Sequence, residues 1–205
     1  MELAGYQIIG RIAEDEETIL YRLKGLRDET VVMCQTTRDP YPPADSMSRY
    51  EQEFEMLRLL GGRGAVKPLE LKHDGNRPFL LFEDFGGIPV PQLFGKGQGR
   101  NAARPLDKLG LLRLLGVAAD VADCLARVHN RQIVHNAVYP FHILIHPDTL
   151  EVKLTGFQRA YLVDNPPAFA TEPTLHQSGL ATWLRSRQAG STDRLVTGVM
   201  CTVWA

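Results

Sequence analysis

The sequence predicts an α+β fold, with an antiparallel sheet and one helix over residues 1–87 and a helical part after it. Three observations carry that prediction. The first third consists of short runs rich in Ile, Val, Tyr and Thr, separated by charged turns. A long stretch from Asp107 to about Asn130 repeats apolar residues at helical spacing. Two short apolar runs, Ile143–Ile145 and Val152–Leu154, then flank the turn "HPDTL". A chain of 205 residues is long enough for one large domain or two small lobes with real cores. The natural divisions are 1–87, 88–160 and 161–205, the last a tail expected to be poorly ordered in part.

In chain order, "YQIIGRI", "TILYRL" and "TVVMCQ" are expected as an antiparallel meander joined by "AEDEE" and "KGLRDE". The prolines of "RDPYPPAD" end that pattern, because proline cannot donate to a central ladder. A helix is expected in "SMSRYEQEFEMLRLLGG". Ser46 or Ser48 is its N-cap, Phe54, Leu57 and Leu60 form its inner face, and Gly61-Gly62 stop it. "VKPLELKH" and "RPFLLFEDF" read as two more strands around "DGN". Phe94–Pro105 is linker-like, with glycines and basic residues and little to bury. In the long helix, Leu111, Leu114, Leu115, Ala118, Val121, Leu125 and Val128 mark the packed face. Beyond Tyr161 the periodicity collapses, and only Leu180–Leu184 and Leu195–Trp204 carry apolar runs.

Composition narrows the function classes. The chain is 44% hydrophobic and 23% charged, which is ordinary globular composition. Lys and Arg number 23 against 24 Asp and Glu, so no basic field points to nucleic acid. "MELAGYQIIG" has no basic n-region of a signal peptide, and no run reaches the ~18 apolar residues of a membrane span. Cys34, Cys124 and Cys201 are far apart and odd in number, which fits a reducing compartment. The expectation is a cytoplasmic protein that meets other proteins or domains, not nucleic acid or membrane.

The order of elements, together with five motifs, resembles a protein kinase domain over roughly Tyr6 to Ala160. "YEQEFEMLRLL" resembles the helix that carries the kinase glutamate, here Glu53. "FLLFEDFGG" is similar to the fifth strand and hinge, with Phe82 as gatekeeper and Glu83 to Phe85 as hinge. "IVHNAVYPFHILI" resembles the catalytic loop H-R-D-x-x-x-x-N, and "VKLTGF" the strand ending in D-F-G. In flavour the match is to the Ser/Thr-kinase-like domain at the N-terminus of large bacterial multidomain signalling ATPase/histidine-kinase proteins. "GLATWLRSRQAG" echoes the end of an activation segment.

The resemblance implies a two-lobed kinase-like fold with a truncated helical C-lobe and with its chemistry removed. The strand-three lysine position matches Cys34, the catalytic aspartate Ala137, the magnesium-binding asparagine His142, and the D-F-G aspartate Gly156. Glu53, His135 and Phe157 are retained. The glycine-rich loop keeps Gly10, followed by the acidic run 14–17. Loss of a general base costs roughly 10²–10⁴ in rate and loss of one preorganised charge-stabilising group about 10²–10³. Magnesium wants hard oxygen ligands, which Gly156 and His142 do not supply. ATP and magnesium binding are therefore expected to be weak or absent, and no cofactor is implied. Adenine-pocket remnants would be Ile12, Leu20, Val32, Phe82, Glu83 and Phe85. Phe82, Phe85 and Leu81 either line such a pocket or fill it.

Plainer roles stand beside these. Glu53 is expected as a solvated helix carboxylate, His135 as a structural histidine and Cys34 as a buried, inert thiol. His135, His142 and His146 suggest a metal set, but the spacing is long and no cysteine joins them. Three functions remain open: an inactive kinase-like regulatory or scaffolding module, a phosphotransferase or nucleotide binder with an altered site, and a truncated remnant without independent function.

Overall fold

A computed structural model describes residues 5–94 and 108–165 of the chain. Five strands form one antiparallel sheet: β1 Tyr6–Glu14, β2 Thr18–Gly25, β3 Val31–Thr37, β4 Pro68–Asp74 and β5 Arg77–Glu83. Their spatial order is β1-β2-β3-β5-β4. The turns have local causes. Asp15 accepts from the amides of Glu17 and Thr18 and from the Thr18 hydroxyl, closing β1 onto β2. Gly75, at φ +56°, turns β4 into β5. Two register shifts in β1, between Ile8 and Gly10 and between Arg11 and Ala13, add twist.

The helix α1, Ser46–Leu60, fills the space between β3 and β4 in sequence and packs on β4 and β5. Its N-cap is Asp45, not Ser46 or Ser48, and the side chain makes no capping bond. Gly61 ends it in the left-handed conformation at φ 59°, its N–H donating to the Leu57 carbonyl. A short strand β6, Ile88–Pro89, and a short helix α2, Val90–Phe94, follow the sheet. The helix α3, Lys108–His129, starts and stops within a residue of the sequence prediction. The predicted linker lies almost wholly outside the described residues, as do "GLATWLRSRQAG" and the apolar run Leu195–Trp204.

After α3 the chain forms β7 Ile133–Val134, a 3₁₀ turn Pro140–His142, β8 Ile143–Ile145 and β9 Val152–Leu154. A second 3₁₀ turn, Phe157–Arg159, precedes β10 Tyr161–Leu162, which pairs with β7. β8 is the middle strand of β6-β8-β9. Leu114, Val117, Val121, Cys124, Leu125 and Val128 of α3 are buried, and the helix packs on β7 and β9. Leu111 and Leu115, predicted for that face, are exposed instead. They lie at the N-terminal half of α3, on the side turned away from the strands.

One apolar cluster runs through Ile12, Met33, Leu57, Phe82, Val121, Leu144, Leu154 and Phe157, so the sheet, both long helices and β8–β9 share a core. The segment after α1 is stitched to β9: Val66 N–H donates to the Leu154 carbonyl at 2.9 Å, and Leu154 N–H to Gly64 at 3.1 Å. A smaller cluster, Leu23, Val32, Cys34, Phe79 and Leu81, occupies the other sheet face. Among the described residues no helix is long and apolar enough to cross a membrane.

Candidate functional site

Glu53 anchors the site. Tyr50, Glu53, Leu57 and Leu60 recur at helical spacing and form the buried side of α1. The carboxylate therefore enters the interior with the apolar residues and is fully buried, contrary to the expectation of a solvated side chain. Phe54, predicted for the inner face, is only partly buried. The 50, 53, 57, 60 spacing was the signal that could have revealed this. Glu53 Oε2 accepts from Gln35 Nε2 and Oε1 accepts from the Phe157 amide, both at 2.8 Å. Burial pushes its pKa up to about 7, against the hydrogen bond from Phe157 and the nearby His142.

The residue opposite Glu53 is Gln35, not Cys34. Strand side chains alternate, so in β3 Met33 and Gln35 face α1 while Val32 and Cys34 face the other side. Counting one residue off in a strand reverses the face, which is why the site assignments of Cys34 and Val32 fail. Cys34 is fully buried among Leu23, Phe79 and Leu81, and desolvation raises its thiol to about 12. It is inert as a nucleophile.

The segment from His135 to Phe157 supplies the opposite wall. His135 is fully buried, with its ring centroid 4.2 Å from that of Phe157. Its Nε2 lies 3.1 Å from the Thr155 carbonyl and its Nδ1 accepts from the Ala137 amide, which fixes the Nε2–H tautomer. Burial depresses its pKa to about 3, so the ring is neutral. Ala137 is itself buried. Its carbonyl accepts from His142 Nδ1 at 2.7 Å. Gly156 is left-handed at φ +79°, and a Cβ there would lie 2.5 Å from His142 Nδ1. The imidazole occupies the space that a side chain at 156 would need.

The acidic β1–β2 turn closes the front. Asp15 Oδ2 lies 3.6 Å from His142 Nε2. Burial opposes ionisation of Asp15, but the bonds from His142 and the Thr18 and Glu17 amides hold it below its ordinary value. Glu14 is paired with Arg11 and Arg38, and Glu17 with Arg49. Behind Asp15 is a cavity of about 20 Å³ lined by Gln35, His142, Thr155 and Leu20, among others. That is room for about one water.

The remaining sequence candidates are dispersed. Ile12, Leu20 and Phe82 are buried in the main core. Phe85 is half-buried against it with Lys153 Nζ 4.7 Å over its ring. Glu83 is exposed and paired with Lys67 at 3.0 Å. His146 accepts from the Asp148 and Thr149 amides at the β8–β9 turn. Among the described residues no group of three His, Cys, Asp or Glu side chains is placed to hold a metal.

Sequence reasoning missed one constellation. Arg22 of β2 donates Nε and Nη2 to Asp84 at 2.5 and 3.2 Å, and Nη2 also reaches the Gly87 carbonyl at 3.1 Å. Asp84 further accepts from the Gly86 amide, so one bidentate pair fixes the bend after β5. No local pattern in either segment advertises a contact 62 residues apart.

With this geometry established, comparison adds little but is specific. No protein-family model matches the chain. Over 130 residues it is 32% identical to the "Probable SapB synthase" of Streptomyces coelicolor. The match takes in 59% of this chain but 13% of that protein, so the chain spans a small part of the relative's length.

Chemically the site is a polar seam, buried at Glu53 and His135 and part-exposed at Asp15 and His142. Its carboxylates are bonded, its buried histidine has both ring nitrogens engaged, and its cavity has room for about one water.

Proposed function

We propose that the chain is a protein-kinase-like module that has lost phosphotransfer chemistry and acts as a regulatory or scaffolding element for protein partners or neighbouring domains. One observation carries the reading. In a kinase, a strand-three lysine pairs with the helix glutamate and holds the α/β-phosphates. Here Val32-Met33-Cys34-Gln35 stands at that motif, and the neutral amide of Gln35 bonds Glu53 at 2.8 Å. An amide can satisfy the carboxylate but supplies no charge to phosphate. Ala137, His142 and Gly156 at the base and metal positions support the same reading, as does Asp15 at the phosphate end of the cleft.

The relative's name is that of a synthase. On this reading the shared region would serve such a longer protein by holding parts together, not by transferring phosphate. A cytoplasmic location belongs to the same proposal.

The test is a thermal-shift titration with ATP, with and without magnesium or manganese. A ligand at a hundred times its dissociation constant adds about 2.7 kcal/mol of stability, which shifts the midpoint visibly. The expected result is no shift at millimolar nucleotide. A saturable metal-dependent rise would overturn the reading and favour a nucleotide site of altered design.

A further inference from the structure

One edge of the exposed side of α3 is apolar, beside a charged edge of Arg113, Asp120, Asp123 and Arg127. Leu111, Leu112 and Leu115 are 37%, 57% and 47% exposed, and Ala119, Ala122 and Ala126 continue the stripe toward the C-terminal end. Leu111, Leu115, Ala119, Ala122 and Ala126 follow helical spacing, so they form one line about 22 Å long. The buried side of α3 is the opposite one and is already satisfied by the strands.

The chain itself carries a matching run. Leu195, Val199 and Val203, with Val196 and Met200, recur at helical spacing, and Leu195–Trp204 contains no charged residue. Arg185, Arg187, Asp193 and Arg194 precede it, a net positive stretch, and Asp120 and Asp123 stand exposed on α3 next to the alanines, with Arg113 and Arg127 also exposed on that helix. The geometry of departure also fits. Val163 N–H donates to the Gln132 carbonyl, so the described chain leaves at Asn165 beside the C-terminal end of α3. Leu112 lies about 26 Å farther along the helix. Residues 166–194, at up to ~3.3 Å each, span that distance several times over.

We infer that the apolar stripe of α3 is the docking surface for the chain's own segment Leu195–Trp204. A second copy is the poorer occupant. Three leucines and three alanines offer only a few hundred Å², against the ~800 Å² per partner of a stable complex. A tethered segment meets the same patch at roughly millimolar effective concentration, and a small contact then suffices. This inference does not depend on the proposed function.

Cys201 lies inside the segment and is the reporter. Cys34 and Cys124 are buried, with thiols raised to about 12 and about 11, so Cys201 dominates fast labelling of the folded chain. In the full chain, Cys201 is expected to react with a thiol reagent at least ~10-fold more slowly than in urea. Leu112→Glu with Leu115→Glu should bring the rate within ~2-fold of the unfolded value, with the circular dichroism of the fold retained. Val199→Glu, placed in the segment, should do the same, and it decides the matter alone if the α3 variant fails to fold. The inference is overturned if Cys201 of the parent labels at the unfolded rate. Protection that survives the substitutions would overturn it too, as would protection that rises with protein concentration, since that identifies a second copy.

Discussion

Glu53 and His135 are buried groups with opposite effects on stability as pH changes. Burial raises Glu53 from 4.5 to about 7, so its native proton favours the fold fully below 4.5, and that contribution is lost as pH rises through 7. Burial lowers His135 from 6.5 to about 3, so its contribution is present above 6.5 and lost as pH falls toward 3. Between 4.5 and 6.5 the two slopes oppose each other. Glu53→Gln leaves the histidine slope alone. Urea denaturation from pH 4.5 to 7.5 should show the variant gaining roughly 3 kcal/mol on the parent, at about 1.4 kcal/mol per pH unit. A pH-independent difference would show that Glu53 does not titrate in this range. Gly156 offers a steric test. Gly156→Ala should cost about 2–4 kcal/mol, part from the left-handed backbone at φ +79° and part from overlap with His142. Adding His142→Ala removes the overlap and should recover about half of that loss. An equal cost in both backgrounds would assign the whole effect to the backbone.

Between elements, the Arg22–Asp84 pair ties β2 to the bend that leads into β6. The Asp84 side chain is only 7% exposed, so removing its partner strands a carboxylate. Arg22→Met should lose about 2–3 kcal/mol and speed hydrogen exchange of the Gly86 amide, which Asp84 accepts. Unchanged exchange there would mean that the bend holds without the arginine. Elements such as β8, β9 and α3 were legible in the sequence because their signals are local: alternation, helical spacing and flanking turns. The relations between them were not. Cys34 was assigned the place that Gln35 holds because the motif was aligned one residue out of register. Leu111 and Leu115 sit on the right period, yet nothing in the helix's own sequence says how far its packing partners extend. Glu53 sits on the buried spacing of α1, but its partners Gln35 and Phe157 come from elsewhere in the chain. Asp45 took the cap from two serines that satisfied the same rule, and it does so without a side-chain capping bond.

Over the whole molecule, the common core explains why the candidate site is well built around Glu53. Met33 and Leu80 from the sheet, Leu57 from α1, Val121 from α3 and Phe157 meet in one cluster. The polar seam of Gln35, Glu53, Thr155 and His142 lies within that packing. The fold was legible at the level of an α+β chain with an antiparallel sheet. The assembly around Glu53 was not, because its contacts reach 18 residues back to Gln35 and 104 forward to Phe157 and leave no mark on any single window of sequence. That separation matters before the protein is finished. Phe157, whose amide bonds Glu53, lies 104 residues later in the chain. A ribosome adding 5–20 residues per second takes on the order of ten seconds to deliver it. Throughout that interval α1 can pack on β4 and β5, but Glu53 lacks the Phe157 amide and the stitch of Val66 to Leu154 is unmade. Until then the nascent sheet and α1 lack the wall that the segment from His135 to Phe157 supplies.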